Sequence, residues 1–251
     1  MWGPVCGFPS AAIGLPIRGE AAQTSLRRRE SFTMGRLQTE VSELEARIEK
    51  DTARLLRENR NCVFAVRLAQ SAQKEIDRIR EQTENRGVRF DCKKGCTICC
   101  RLEVHVLPQE SFRIARELRG QPNRESLVAA LSEHVEMHRG ITETRQRKFC
   151  PFLVEGACSI YELRPLACRK MVSLDVERCK QMGKTVPSDP EMSFKSDAVI
   201  TGTRKAYARL KLPSETHEMI AGVLLALTDP SAEERWWNGE DVFETDTRPA
   251  S

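Results

Sequence analysis

Residues 91–100 read Asp91-Cys92-Lys93-Lys94-Gly95-Cys96-Thr97-Ile98-Cys99-Cys100, four cysteines in a single short stretch. The spacing is C-x3-C-x2-C-C, close enough for one turn of backbone to wrap around an ion. Gly95 gives that turn access to positive φ next to a ligand. Cys96 and Cys99 have the two-residue separation common to zinc knuckles and iron–sulfur loops. The adjacent pair is less usual. On a helix, neighbours diverge by about 100°, so Cys99 and Cys100 would serve different metal atoms, or one would bind and the other stay free. In a loop both could bend to one centre.

Working outward, three further cysteines follow after a helical spacer. Cys150 opens Cys150-Pro151-Phe152-Leu153. Cys158 and Cys168 bracket Cys158-Ser159-Ile160-Tyr161-Glu162-Leu163-Arg164-Pro165-Leu166-Ala167-Cys168-Arg169. Glu155-Gly156 predicts a hairpin turn between short strands, which would carry these thiols back toward the first group. Seven of the ten cysteines thus fall between Cys92 and Cys168, and only Cys6, Cys62 and Cys179 lie elsewhere. Adjacent cysteines and an odd number fit disulfide pairing poorly, and no secretory signal is recognisable, so the pattern reads as metal ligation. Lys93, Lys94, Arg101, Lys148, Arg164, Arg169 and Lys170 flank these positions. Their charges are expected to lower the thiol pKa values.

The two motifs, in this order, resemble the YkgJ-type zinc- or iron-chelating cysteine-cluster (CxxxCxxCC) family over about residues 90–170. The resemblance implies Cys92, Cys96, Cys99, Cys100, Cys150, Cys158 and Cys168 as metal ligands, with Tyr161, Arg164 and Pro165 shaping the site. It implies a zinc ion or iron–sulfur cluster as cofactor and says little about a reaction. Related cysteine clusters in flagellin lysine methylases make a methylase-type enzyme one alternative. The formal C-x3-C-x2-C spacing makes a radical-SAM enzyme another, although the βα alternation of such a domain is absent. Cys179 lies beyond the second motif and is read as standing outside the ligand set. His134 and His138, four apart on a predicted helix, and His105, on a predicted strand, are secondary ligand candidates.

Upstream, residues 36–86 contain neither Gly nor Pro, and Leu37, Val41, Leu44, Ile48, Leu55, Cys62, Ala65, Ala69, Ala72, Ile76 and Ile79 step by threes, fours and sevens. Two structures fit this arm of residues 35–88: a single helix of about 75 Å in a coiled-coil homodimer, or a helical hairpin broken at Glu58-Asn59-Arg60-Asn61, where Asn tolerates the left-handed conformation. Cys62 reads as a small buried hydrophobe. Residues 1–34, with Pro4, Pro9 and Pro16, are expected to be a disordered extension or to precede a true start at Met34. An Arg-rich organellar leader is a weaker fit.

Downstream, helices are predicted over Gln109–Leu118, Arg124–Arg139, Asp197–Leu210 and Ser214–Leu227. The resulting division is 89–172 for the metal-binding core, 173–230 for a helical part and 231–251 for a tail, with Trp236 and Trp237 packing back onto the helices. The expected fold class is mainly α: a long helical arm plus a small α+β cysteine-rich core with a short β-hairpin.

Composition bounds the rest. Of 251 residues, 40% are hydrophobic, 30% charged and 6% aromatic, with a net charge of +4. The charge excess is too small and too scattered to argue for nucleic acid. No apolar run approaches the roughly 20 residues of a membrane span. P-loop, dinucleotide, nucleophile-elbow and zincin motifs are absent. A cytoplasmic metal-binding protein is expected. Its centre would serve redox or electron transfer, or be a structural zinc module that meets a partner through the arm, or be catalytic.

Overall fold

The computed structural model describes residues 19–141, 147–181 and 186–243, with side chains described from residue 35. It separates into two units, residues 1–40 and 41–251. The described part of the first is the opening of helix α1 (Gly19–Glu58). There Arg36 and Glu40 pair one turn apart at 3.0 Å. Part of the segment expected to be irregular is therefore helical. The physical reason is that its helix-breaking prolines all precede Gly19. The expectations for residues 1–18 lie outside the described residues.

In the second unit, α1 ends at Glu58 and α2 (Cys62–Asn85) begins three residues later. The hairpin alternative holds, at the predicted break but by a different device. Asn61 is extended rather than left-handed, and its side chain accepts from the Phe64 amide at 2.8 Å. It caps the second helix instead of terminating the first. The return is antiparallel, with Arg47 of α1 reaching Glu75 of α2 at 2.8 Å. The buried residues of α2 include Ala65, Leu68, Ala69, Ala72, Ile76 and Ile79. That stripe is spent inside this chain, against α3 (Pro108–Arg119), α5 (Leu166–Lys170), α7 (Pro190–Ala208) and α9 (Ala232–Trp237). Its alanines allow the close approach of α7.

The remaining helices are α4 (Arg124–His138), α6 (Val176–Lys180) and α8 (Met219–Thr228). Strand structure among the described residues is limited to two antiparallel pairs. Strand β1 (His105–Val106) pairs with β4 (His217–Glu218), and β2 (Leu153–Val154) with β3 (Ala157–Cys158). The class is mainly α with a short hairpin, as the sequence suggests. The β2–β3 turn is Glu155-Gly156, with φ of 49° and 76°. Two successive positive φ values match the twist of a tight hairpin, and glycine makes the second free of strain. Two boundaries differ from expectation. Helix α7 starts seven residues early, because Asp189 caps it (2.8 Å to the Met192 amide) and Pro190 suits the first turn. The helix expected from Ser214 starts only at Met219, capped by the Glu218 carboxylate at 2.7 Å.

Two apolar cores result. The larger joins α2, α3, α7, α8 and α9 through Val66, Phe112, Tyr207, Ile220, Val223 and Trp236. Full burial of such side chains contributes roughly 1.5–3 kcal/mol each. The Trp236 indole also donates to the Pro213 carbonyl at 2.8 Å, and Phe243 is buried, so this part of the expected tail belongs to the core. The smaller core contains Ile76, Leu107, Leu166, Met192 and Val199. Between the edges of these two cores lie the cysteines.

Candidate metal centre

Each cysteine-bearing segment is short, irregular and tied down by backbone bonds. The loop after Asp91 turns at Lys94-Gly95, with the Cys96 amide donating to Lys93 at 3.0 Å and Gly95 at φ +93°. A 3-10 turn over Ile98–Arg101 presents Cys99 and Cys100. The Cys150 amide donates to the Cys100 carbonyl at 2.7 Å, docking the second motif onto the first. Cys158 sits on β3. Cys168 sits on α5, whose start is held by a buried carboxylate: Glu110 accepts from the Leu166 amide at 2.8 Å and from Leu107 at 3.0 Å.

All seven cysteines named from the sequence line one pocket of about 100 Å³. Tyr161, Arg164 and Pro165 share its wall, as do His134 and Glu218. The nine described cysteines are free thiols. Among the described residues, no three Cys, His, Asp or Glu side chains already stand at ligating geometry. The donor set nevertheless suits a soft thiophilic ion, because sulfur ligands select zinc and iron–sulfur centres over the hard cations that prefer oxygen. A pocket of this size has room for an ion.

The flanking cations do not act as expected. Burial dominates, pushing Cys92 up to about 11 and Cys150 up to about 12. It also raises Cys168 and Cys158, while Cys99 is raised first by its hydrogen bond with Cys100 and then by burial. Of the seven cations, only Arg164 has a resolved opposing effect, on Cys99, Cys158 and Cys168. Several of the others are engaged elsewhere. Arg169 is held by Asp77 (2.5 Å) and by the Arg164 and Glu162 carbonyls, and Lys170 by Asp197 (2.5 Å). Arg101 lies over the Phe149 ring, Lys94 and Arg164 over that of Tyr161.

The histidines separate clearly. His105 is exposed and bonds Glu103 at 2.9 Å, away from the pocket. The ring nitrogens of His138 are both engaged, one with the His134 carbonyl at 2.6 Å and the other with the Lys148 amide at 2.7 Å. The His134 ring lies against it, centroids 3.9 Å apart and tilted by 33°, and burial brings its pKa down to about 4, so it meets the pocket as a neutral imidazole.

Cys62 is half-buried at the start of α2, its thiol 3.0 Å from the Glu233 carboxylate. Burial and that neighbour push it up to about 12. Cys179, expected to stand outside the ligand set, is carried by α6 and does not line the pocket. Helix α6 packs on the 3-10 turn, and Cys179 lies near enough to Cys92 for its charge to act there. Its position eleven residues past Cys168 carries no spacing signal; only the fold returns it.

Residues 91–187 match the model of the CxxCxxCC family, described as a "Putative zinc- or iron-chelating domain". The match covers both motifs and Cys179, so this stretch is similar to a zinc- or iron-chelating cysteine-cluster domain. No curated protein and no solved structure matches the chain. No described helix is long and apolar enough to cross a membrane.

Proposed function

We propose that this protein is a metal-binding protein whose thiol pocket holds zinc or an iron–sulfur centre on a fold that is built independently of it. The carrying observation is the convergence of seven thiols, from two motifs about fifty residues apart, on one pocket. The apolar cores enclose α2, α3, α7, α8 and α9 without drawing on the cysteines for most of their contacts. A metal here therefore has less of a folding role than in small zinc modules, which are unfolded without it. That favours a working centre, redox or electron-transferring, over a purely structural zinc.

Cys92, Cys96, Cys99, Cys100, Cys150, Cys158 and Cys168 would hold the metal, which supplies Lewis acidity if zinc and an electron-accepting site if iron–sulfur. Each ligating thiol must first lose its proton. Arg164 supports the thiolates of Cys99, Cys158 and Cys168. Free thiols of this number fit a reducing compartment such as the cytoplasm.

The test is elemental analysis with a visible spectrum on protein purified without oxygen or chelators. Iron, acid-labile sulfide and a broad band near roughly 400 nm support the redox centre. Zinc in a colourless sample refutes that role and leaves the chelation. Neither metal, with thiols oxidised in pairs, refutes both.

A further inference from the structure

Besides its sulfurs, the wall of the pocket carries a strong charge imbalance. Among the described residues it holds six cationic side chains, Arg80, Lys93, Arg101, Arg147, Lys148 and Arg164, and one carboxylate, Glu218. Glu218 is occupied as the cap of α8, accepting from the Ala221 amide at 2.7 Å. Arg80 is matched by Glu84 at 3.2 Å and Arg147 by Glu103 at 2.9 Å. Lys93, Arg101, Lys148 and Arg164 have no carboxylate partner among the described residues. Cations on the outer helices are matched within the chain, as Arg47 is by Glu75, Lys170 by Asp197 and Arg204 by Glu215.

The unmatched cations form a continuous arc. The bond from the Cys150 amide to the Cys100 carbonyl sets Lys148 and Phe149 beside Arg101, whose guanidinium lies 4.1 Å from the centre of the Phe149 ring. At the other end of the same loop, Lys94 and Arg164 share the Tyr161 ring, at 5.1 and 3.8 Å from its centre. Lys93, Lys94 and Lys148 are exposed, and Phe149 is 41% exposed, so the arc faces solvent at the rim.

We infer that this arc is a docking surface for a partner protein that presents clustered carboxylates beside an apolar side chain, seated over the mouth of the pocket. Arginine forks take carboxylates in two parallel bonds, and lysines supply point charges beside them. Like charges held together without partners repel one another. An acidic partner relieves that repulsion, and their joint field steers it to the pocket. Phe149 gives it an apolar contact. Nucleic acid fits less well, because bases stack on open aromatic faces and these rings already carry Arg101, Lys94 and Arg164. A membrane surface is met by the apolar face of an amphipathic helix, whereas this arc rims a recess in loops. The inference does not depend on what the pocket holds.

The experiment is fluorescence anisotropy on the full-length protein at low ionic strength, with a short labelled peptide of glutamates and leucines as the probe. Saturable binding that weakens with salt is expected. Lys94→Gln/Lys148→Gln, at the two ends of the arc, should weaken it about tenfold, and Phe149→Ser should weaken it as well. Lys50→Gln/Arg57→Gln removes the same charge from exposed positions on α1 and should leave it unchanged. No binding by the wild type, or equal losses in the two double variants, overturns the proposal. Tighter, arc-dependent binding of a single-stranded oligonucleotide or of phosphatidylserine vesicles overturns the class of partner. Should Lys94→Gln/Lys148→Gln fail to fold, Lys148→Gln alone decides, with a loss of about threefold expected and none refuting. Metal content is measured on the same samples, and its absence would refute the metal reading while leaving the docking result standing.

Discussion

Glu110→Gln is the most informative single change outside the cysteines. The Glu110 carboxylate is fully buried, accepts from the Leu107 and Leu166 amides, and thereby fixes the start of α5 that carries Cys168. Burial outweighs those bonds and raises its pKa from 4.5 to about 7. The sign follows directly. Between these values the unfolded chain has released the proton and the folded chain has kept it, so stability falls as pH rises through this window. At 1.36 kcal/mol per pKa unit, the full penalty above pH 7 is about 3 kcal/mol. Glutamine cannot ionise, but it turns one accepting oxygen into a donor and leaves one buried amide unmatched, at roughly 1–3 kcal/mol. The variant should therefore be near wild-type stability at pH 8 and about 2 kcal/mol less stable at pH 5. Urea unfolding of both proteins at pH 5, 6, 7 and 8 measures this, and contributions common to both cancel in the difference. Parallel profiles would refute the reasoning.

Further outcomes follow from the same structure. Cys96→Ser and Cys99→Ser should lose metal while Cys62→Ser keeps it, read by elemental analysis; full retention in the first pair refutes the ligand assignment. Zinc affinity should rise with pH from 6.5 to 8.5, because the ion must displace protons from thiols raised to about 11 and 12 at Cys92 and Cys150; a chelator competition with no pH slope contradicts this. Gly202→Ala should destabilise by about 1–3 kcal/mol, since its Cβ would lie 2.6 Å from the Glu45 carbonyl oxygen and 3.0 Å from Ile48. A thermal midpoint equal to wild type would show that α1 does not sit so close to α7.

Much of the site was legible as spacing. Cysteines are rare and chemically distinctive, so C-x3-C-x2-C-C and the Cys158–Cys168 motif announce ligands without any knowledge of how they meet. Glu155-Gly156 was equally legible, because a two-residue turn with positive φ is a local matter. The helix starts at Pro190 and Met219 were harder, since each depends on a cap, Asp189 and Glu218, that hydropathy does not weigh.

Local chemistry alone established the mainly helical class, the break between α1 and α2, the hairpin and the seven candidate ligands. Tertiary structure decided the rest. It buried the apolar stripe of α2 within the chain, a choice periodicity cannot make because a coiled-coil partner and an internal neighbour need the same stripe. It raised the thiols that the flanking cations were expected to lower, because desolvation depends on what surrounds a side chain and not on its neighbours in sequence. It also packed α6, which carries Cys179, onto the 3-10 turn that presents Cys99 and Cys100, a proximity created by folding and invisible in the linear order.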